Sequence, residues 1–83
     1  MNKKDAVTFG IKFKENGEIF YVDGQIERFA KDISKREAIA KIMHMCREKR
    51  WKLMDILYLK KYSFIDNTCS NITEWITDED ESY

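Results

Sequence analysis

The sequence contains no proline, three glycines, two cysteines and one histidine among its 83 residues. Cys46 and Cys69 are isolated, which predicts two reduced thiols, one packed and one partly exposed, rather than a disulfide. His44 has no ligands at matched spacing, so we expect no metal and no other cofactor. Because the chain also lacks a phosphate-binding glycine loop, a catalytic-triad spacing and a CxxC pair, we expect that it is not an enzyme.

Long hydrophobic runs are missing as well. No stretch of about 18 apolar residues occurs, so no transmembrane helix is predicted. The basic first residues are not followed by an apolar segment, so no secretory signal is expected. These absences predict a cytoplasmic protein. The length of 83 residues allows a single domain, which we place over residues 1–77, followed by an acidic tail over residues 78–83.

Alternating hydrophobicity in the first third predicts a β-hairpin. Apolar residues occupy every second position of one segment, at Val7, Phe9, Ile11 and Phe13. Asn16-Gly17 follows, and this pair favours a type I′ turn because both residues tolerate positive φ. A turn centred there pairs Phe13 with Phe20 on the same face, so register and hydrophobic pattern agree.

The middle of the chain predicts a further strand and a helix. Asp23-Gly24 predicts a second turn that ends the hairpin. Residues 25–33 fit a third strand, with a helix as the open alternative. Ser34 and Glu37 form a capping-box pattern, which predicts an amphipathic helix from Lys35 to Lys49.

The remaining segments complete the predicted fold. Residues 51–59 are apolar on both faces, and we favour a strand over a continued helix because an isolated hairpin is only marginally stable. Asn71 and Glu74 resemble a second capping box and predict a short C-terminal helix. The predicted fold class is therefore α+β: an N-terminal hairpin, one main amphipathic helix packed on a small antiparallel sheet, a short C-terminal helix and an acidic tail.

The zero net charge of the chain is a cancellation between two segments. Residues 1–63 hold all 15 lysines and arginines against nine acids, a net charge of +6. Residues 64–83 hold six acids and no basic residue, a net charge of −6. Such asymmetry indicates a charged partner, so the neutral total does not exclude nucleic acid.

The densest basic stretch lies between residues 47 and 52. Cationic side chains neutralise phosphates and an interleaved tryptophan can stack on an unpaired base, which is typical of contact with single-stranded RNA. Cations that favour a helix C-terminus, beside a packed tryptophan, are the structural alternative. Contact of the basic stretch with an acidic protein is a second alternative. The predicted contact residues are Arg47, Lys49, Arg50, Trp51, Lys52, Lys60 and Lys61.

An acidic run forms the second candidate surface, at Asp78, Glu79, Asp80 and Glu81. Three interpretations of this run are open. It is a solubilising terminus, a segment that folds back to screen the basic stretch, or a phosphate mimic that occupies a basic groove on another protein.

In composition the chain resembles the small accessory proteins of large lytic phages. The shared features are fewer than a hundred residues, abundant Lys, Ile, Asn and Asp, no proline and a compact plan with a charged tail. The resemblance implies a non-catalytic protein of host-takeover or anti-defence type that binds and redirects or blocks a host component. Such components include defence nucleases, toxin ribonucleases and the transcription machinery.

We therefore expect a small binding protein that inhibits or modulates a host factor which handles nucleic acid, and that contacts RNA through the basic segment. No membrane partner is expected, and homodimer formation is left open. One alternative is a direct protein–protein inhibitor that uses an acidic and apolar surface without nucleic acid. Another is a homo-oligomeric subunit that uses an exposed sheet edge or Trp75.

Overall fold

Four antiparallel strands and one helix make up the computed structural model, which describes residues 2–29 and 32–77. The elements in chain order are β1 (Lys3–Glu15), β2 (Glu18–Phe29), α1 (Lys35–Glu48), β3 (Lys52–Ile65) and β4 (Thr68–Ile76). The strands form one sheet in the order β2-β1-β3-β4. The helix lies in the connection between β2 and β3, which pair with opposite sides of β1.

The N-terminal hairpin confirms the sequence prediction. Asn16 and Gly17 form the turn with φ values of 52° and 82°, as a type I′ turn requires. Strands β1 and β2 pair without a register shift, and Phe13 lies opposite Phe20. Their stacked rings have centroids 5.7 Å apart, so the turn and the hydrophobic pattern specify the same register.

The predicted turn at Asp23-Gly24 is wrong, because β2 runs unbroken through it to Phe29. Gly24 lies opposite Phe9 in the sheet, and a Cβ on Gly24 would be 2.4 Å from Cζ of the Phe9 ring. This glycine therefore makes room for a ring. The third strand predicted over residues 25–33 is not a separate strand. Its first residues are the second half of β2, which ends at Phe29, before Ile33.

Helix α1 confirms the predicted helix to within one residue. The Ser34 hydroxyl accepts a hydrogen bond from the backbone N–H of Glu37 at 3.1 Å, and the Glu37 carboxylate pairs with Arg28 of β2. Ala38, Ile42 and Cys46 are its buried residues, at helical spacing. Within the described ranges no helix is long and apolar enough to cross a membrane.

Strand β3 confirms the strand prediction for residues 51–59 and continues to Ile65. The predicted C-terminal helix is wrong, since its residues belong to β4. Asp66 and Asn67, with φ values of 51° and 68°, form a second type I′ turn that returns β4 along β3. Pairing of Ile72 with Tyr62 then outweighs the local capping pattern.

The predicted α+β class, with one main helix packed on a small sheet, is consequently wrong. Strands hold 64% of the described residues and the helix 19%, so this is a small sheet-dominated fold. A helix of 14 residues is about 21 Å long, whereas β3, also of 14 residues, spans about 46 Å. The helix is therefore a short element over one face of a long sheet.

One hydrophobic core lies between α1 and that face. Phe13 closes it at the hairpin end, where its ring stacks on Trp51 with centroids 3.9 Å apart and planes at 15°. The buried core residues are Val7, Phe9, Ile11, Phe13, Ile33, Ala38, Ile42, Cys46 and Leu59. Since the β1 members alternate, the residues between them point to the opposite face.

Candidate nucleic-acid interface

The sheet face opposite α1, here called the open face, carries the candidate site. Exposed side chains on it include Tyr21, which is 64% exposed, and Ile72, which is 54% exposed. Its position follows from the strand register, because directly opposed residues share a face. The open face contains Lys4, Ala6, Thr8, Gly10, Lys12 and Lys14 of β1, Ile19, Tyr21, Asp23, Gln25 and Glu27 of β2, Lys52, Asp55, Tyr58, Lys60, Tyr62 and Phe64 of β3, and Cys69, Ile72 and Glu74 of β4.

Strand β3 presents a row of alternating rings and charge on this face. Tyr58, Lys60, Tyr62 and Phe64 are every second residue, so neighbouring side chains stand about 6.6 Å apart. All four are half-buried. Tyr58 lies opposite Gly10 of β1, and the next ring along, Tyr62, lies opposite Ala6. Small residues on β1 thus leave space for the rings to lie across the sheet.

Two open-face lysines pair with carboxylates, and one of them, Lys4, also lies over a ring. Lys4 Nζ lies 3.7 Å from a Glu27 oxygen and 5.2 Å from the centroid of the Phe64 ring. Lys60 Nζ lies 3.3 Å from a Glu74 oxygen. The hydrogen bond with Glu74 is the main cause that raises the pKa of Lys60. Lys60 therefore keeps its positive charge within the aromatic surface.

Three other open-face lysines gather at the hairpin end of the sheet. Lys14 lies directly opposite Lys52 on the neighbouring strand, and both are exposed. Lys12 is the next open-face residue of β1. Among the described residues, no carboxylate lies within 4.0 Å of any of these three ammonium groups. Like charges directly opposed on a sheet are destabilising, so this arrangement favours an anionic ligand.

The predicted basic segment is divided between the end of the helix and the sheet. Lys49 is the C-cap of α1, and Arg50 follows in the left-handed region with φ 61°. Arg50 N–H donates to Arg47 O at 3.2 Å and Trp51 N–H donates to Cys46 O at 2.9 Å, which together form a Schellman motif. Arg47, Lys49 and Arg50 are exposed at this end of the molecule.

Trp51 contributes to the core instead of an accessible stacking surface. One side of its ring stacks on Phe13, and Lys49 Nζ lies 5.4 Å from its centroid. Lys52, the next residue, begins β3 and points to the open face. One ring face of the partly buried Trp51 is therefore taken by Phe13, and the Lys49 ammonium group lies beside the ring.

Lys61 also lies apart from the open face, because it neighbours Lys60 on a strand. Its ammonium group is 3.9 Å from Asp5 Oδ2, donates to Ile33 O at 3.4 Å and lies 5.4 Å from the centroid of the Trp75 ring. The Lys61 side chain is 17% exposed. These contacts make it an internal partner of Asp5. The acidic residues 78–81 lie outside the described residues.

Among the described residues, nucleophilic and metal-ligating side chains do not assemble into a second site. Cys46 is buried, burial raises the pKa of its thiol, and Cys69 is exposed on β4, as the sequence predicted for the two thiols. His44 Nε2 lies 3.3 Å from Glu48 one helical turn away. No group of three or more His, Cys, Asp or Glu side chains that could hold a metal occurs in the described part of the chain.

Sequence reasoning missed most of the open face. The omitted residues are Lys12, Lys14, Tyr21, Tyr58, Tyr62 and Phe64. The available signal was the alternation of Tyr, Lys, Tyr and Phe at residues 58–64, which continues the predicted strand beyond residue 59.

No protein-family model, curated protein or solved structure matches the chain.

Proposed function

We propose that this protein is a non-catalytic binding protein that holds single-stranded nucleic acid, RNA in particular, across the open face. The observation that carries the proposal is the row of Tyr58, Lys60, Tyr62 and Phe64 on the sheet face opposite α1. Rings accept stacked bases of any sequence, and lysines between and beside them contact phosphates. Each stacked base contributes about 1–3 kcal/mol, so three rings together with phosphate contacts from the lysines can reach the roughly 8 kcal/mol of micromolar affinity.

The lysines at the hairpin end supply the electrostatic part of the proposed interface. Lys12, Lys14 and Lys52 have no described carboxylate within ion-pair distance, so they bind phosphate without first breaking an internal pair. Lys60 and Lys4 must compete with Glu74 and Glu27. We therefore assign the strongest phosphate contacts to the hairpin end, with Arg50 and Lys49 as neighbours in sequence of Lys52.

Fluorescence anisotropy with a labelled mixed-sequence RNA of about 12 nucleotides tests the proposal, with the corresponding DNA as a second arm. We expect log Kd to rise with log salt concentration by about 0.7 for every phosphate neutralised. Lys52→Gln should reduce that slope by about 0.7, whereas Lys41→Gln, on the exposed side of α1, should leave it unchanged. Absence of binding to both strands at low salt refutes the proposal.

A ring substitution tests stacking separately from charge. Tyr62→Leu keeps an apolar side chain over Ala6 but removes the π face, so we expect about tenfold weaker binding. Tyr62→Phe keeps the ring and should bind within about twofold of the parent. If the leucine variant binds as tightly as the phenylalanine variant, the aromatic row does not stack on bases.

A nucleic-acid-handling host factor as partner, and a cytoplasmic location, stay predictions. Affinity capture from a bacterial lysate with and without ribonuclease distinguishes a partner bridged by RNA from a partner bound by direct protein contact. A captured protein that is lost on ribonuclease treatment supports an RNA-bridged partner. A protein that is retained, and whose binding survives Lys52→Gln, supports direct inhibition without nucleic acid.

A homo-oligomer is the second candidate, and the exposure of β4 favours it. Every residue from Thr68 to Ile72 is exposed, and these residues are uncharged. Register shifts at Ser70 and Trp75 interrupt the strand, however, and such bulges blunt an edge against further pairing. Trp75 itself is half-buried against the core. Light scattering during size-exclusion chromatography decides, since a monomer at micromolar concentration removes this candidate.

A further inference from the structure

A carboxylate lies beside the Tyr58 ring of the open face. Asp23 of β2 is directly opposite Gly10 of β1, and Tyr58 of β3 is directly opposite the same glycine on the other side. A Cβ on Gly10 would be 2.3 Å from Tyr58 Cε2 and 3.1 Å from Asp23 Oδ1. The edge of the ring and the carboxylate oxygen therefore meet above one point of the β1 backbone.

The position of Asp23 is unexpected on a surface that binds phosphates. Glu27 and Glu74 on this face are neutralised by Lys4 and Lys60, but no described cation lies within 4.0 Å of the Asp23 carboxylate. Asp23 is also exposed. An ionised carboxylate only accepts hydrogen bonds, so a ligand bound beside it must present N–H or O–H donors rather than phosphate oxygens.

We propose that Asp23 reads the Watson–Crick edge of a base stacked on Tyr58 and selects guanine, an inference that rests on the proposed function. Guanine presents adjacent N1–H and N2–H donors, which match the two oxygens of one carboxylate. Uracil presents a single N3–H between two carbonyl oxygens, which repel the carboxylate. Hydrogen bonding to exposed base edges is the usual source of sequence preference in single-stranded RNA recognition.

Competition between short RNAs tests this selection. The probes are a uridine oligomer of about ten nucleotides, the same oligomer with one central guanosine, and the same oligomer with inosine there. We expect the guanosine oligomer to bind about fivefold to tenfold more tightly than the uridine oligomer. Inosine lacks the N2 amino group, so its oligomer should fall between the two.

Two isosteric variants separate base reading from simple charge. Asp23→Asn should tighten binding of the uridine oligomer and abolish the preference for guanosine. Asp55→Asn makes the same charge change at another open-face position, opposite Lys12, and should tighten binding of all three oligomers while the preference remains. Circular dichroism and the urea midpoint of each variant check that the fold is retained.

The outcomes distinguish this inference from the proposed function. Binding of all three oligomers with equal affinity overturns guanine selection and leaves nucleic-acid binding standing. A preference that survives Asp23→Asn also overturns the role of Asp23. Failure of every oligomer to bind at low salt refutes the proposed function and the inference together.

Discussion

Truncation of the buried Asp5 should cost more stability than any other single charge removal in the described chain. Asp5 is 1% exposed, and its Oδ2 accepts the backbone N–H of Ile33 at 2.9 Å. Lys61 Nζ lies 3.9 Å from the same oxygen and also donates to Ile33 O. The carboxylate and the ammonium group thus fix the segment that leads into α1, whose Ile33 side chain is fully buried.

The magnitude follows from what Asp5→Ala leaves behind. Loss of the acceptor leaves the Ile33 N–H unpaired in the interior, at about 1–3 kcal/mol. Removal of one member of a buried pair costs about 3–5 kcal/mol, but here the 3.9 Å separation and the partial exposure of Lys61 reduce it. Asp5 Oδ1 also has no hydrogen-bond partner among the described residues, so the wild-type carboxylate is itself incompletely compensated. We expect a net loss of about 3 kcal/mol.

Urea unfolding followed by circular dichroism measures this loss. A decrease of about 3 kcal/mol lowers the midpoint by about 2–3 M at the m-value of a small domain. Asp5→Asn retains an oxygen for the Ile33 N–H and should lose less than Asp5→Ala. In a double-mutant cycle, Asp5→Ala combined with Lys61→Met should destabilise by clearly less than the two single losses together. A loss below about 1 kcal/mol for Asp5→Ala, or additive losses, would refute this account.

Three further outcomes are expected. Arg50→Gly should raise the free energy of unfolding by about 0.5–1 kcal/mol in urea titration, because glycine adopts the left-handed C′ conformation without a Cβ clash. Gly24→Ala should lower the free energy of unfolding by about 2–3 kcal/mol in the same assay, and Gly10→Ala should lower it less. The buried Phe9 ring over Gly24 cannot move away, whereas the half-buried Tyr58 ring over Gly10 can. Equal losses for the two variants would contradict this explanation. At pH 8 the native protein should show one thiol that reacts fast with a disulfide reagent, that of Cys69, and the protein in urea should show two. The reason is that burial raises the pKa of the Cys46 thiol above its usual value of about 8.5, which suppresses its reactive thiolate in the native state.

Local signals predicted those elements whose local and tertiary preferences agree. Asn16-Gly17 and the Ser34 cap each specify one backbone conformation, and the apolar pattern on either side supports it. The turn and register of the first hairpin, and the bounds of α1, were therefore predictable nearly to the residue, whereas the length of β2 was not. Asp66-Asn67 is an equally local turn, and it could have been recognised by the same tolerance of positive φ.

The errors arose where a residue type serves two purposes. Gly24 suggested a turn, but its lack of a side chain accommodates the Phe9 ring across the strand pair. Asn71 and Glu74 suggested a helix, but they lie on a strand whose partner is distant in sequence. Close approach and pairing between distant strands are properties of the assembled sheet, and a window of neighbouring residues does not contain them.

The candidate site was partly accessible for a related reason. Residues 47–52 are recognisable as a basic stretch because charge clustering is visible along the chain. The open face instead combines Lys14 with Lys52 and Tyr58 with Asp23, and these pairs exist only through the register of three strands. Composition indicated lysines and aromatic rings as the chemistry of the proposed site, but their arrangement required the fold.

An uncovered sheet face does not by itself indicate binding, because antiparallel sheets commonly have one face in water. A face selected only for solubility would be covered by polar residues in neutralising pairs, as Lys60 with Glu74 and Lys4 with Glu27 illustrate. Lys14 opposite Lys52 departs from that pattern, since opposed like charges are unfavourable on a sheet. Rings laid over small residues of β1 depart from it too. Both departures are relieved by one class of ligand, which carries phosphates to neutralise the lysines and flat bases to cover the rings.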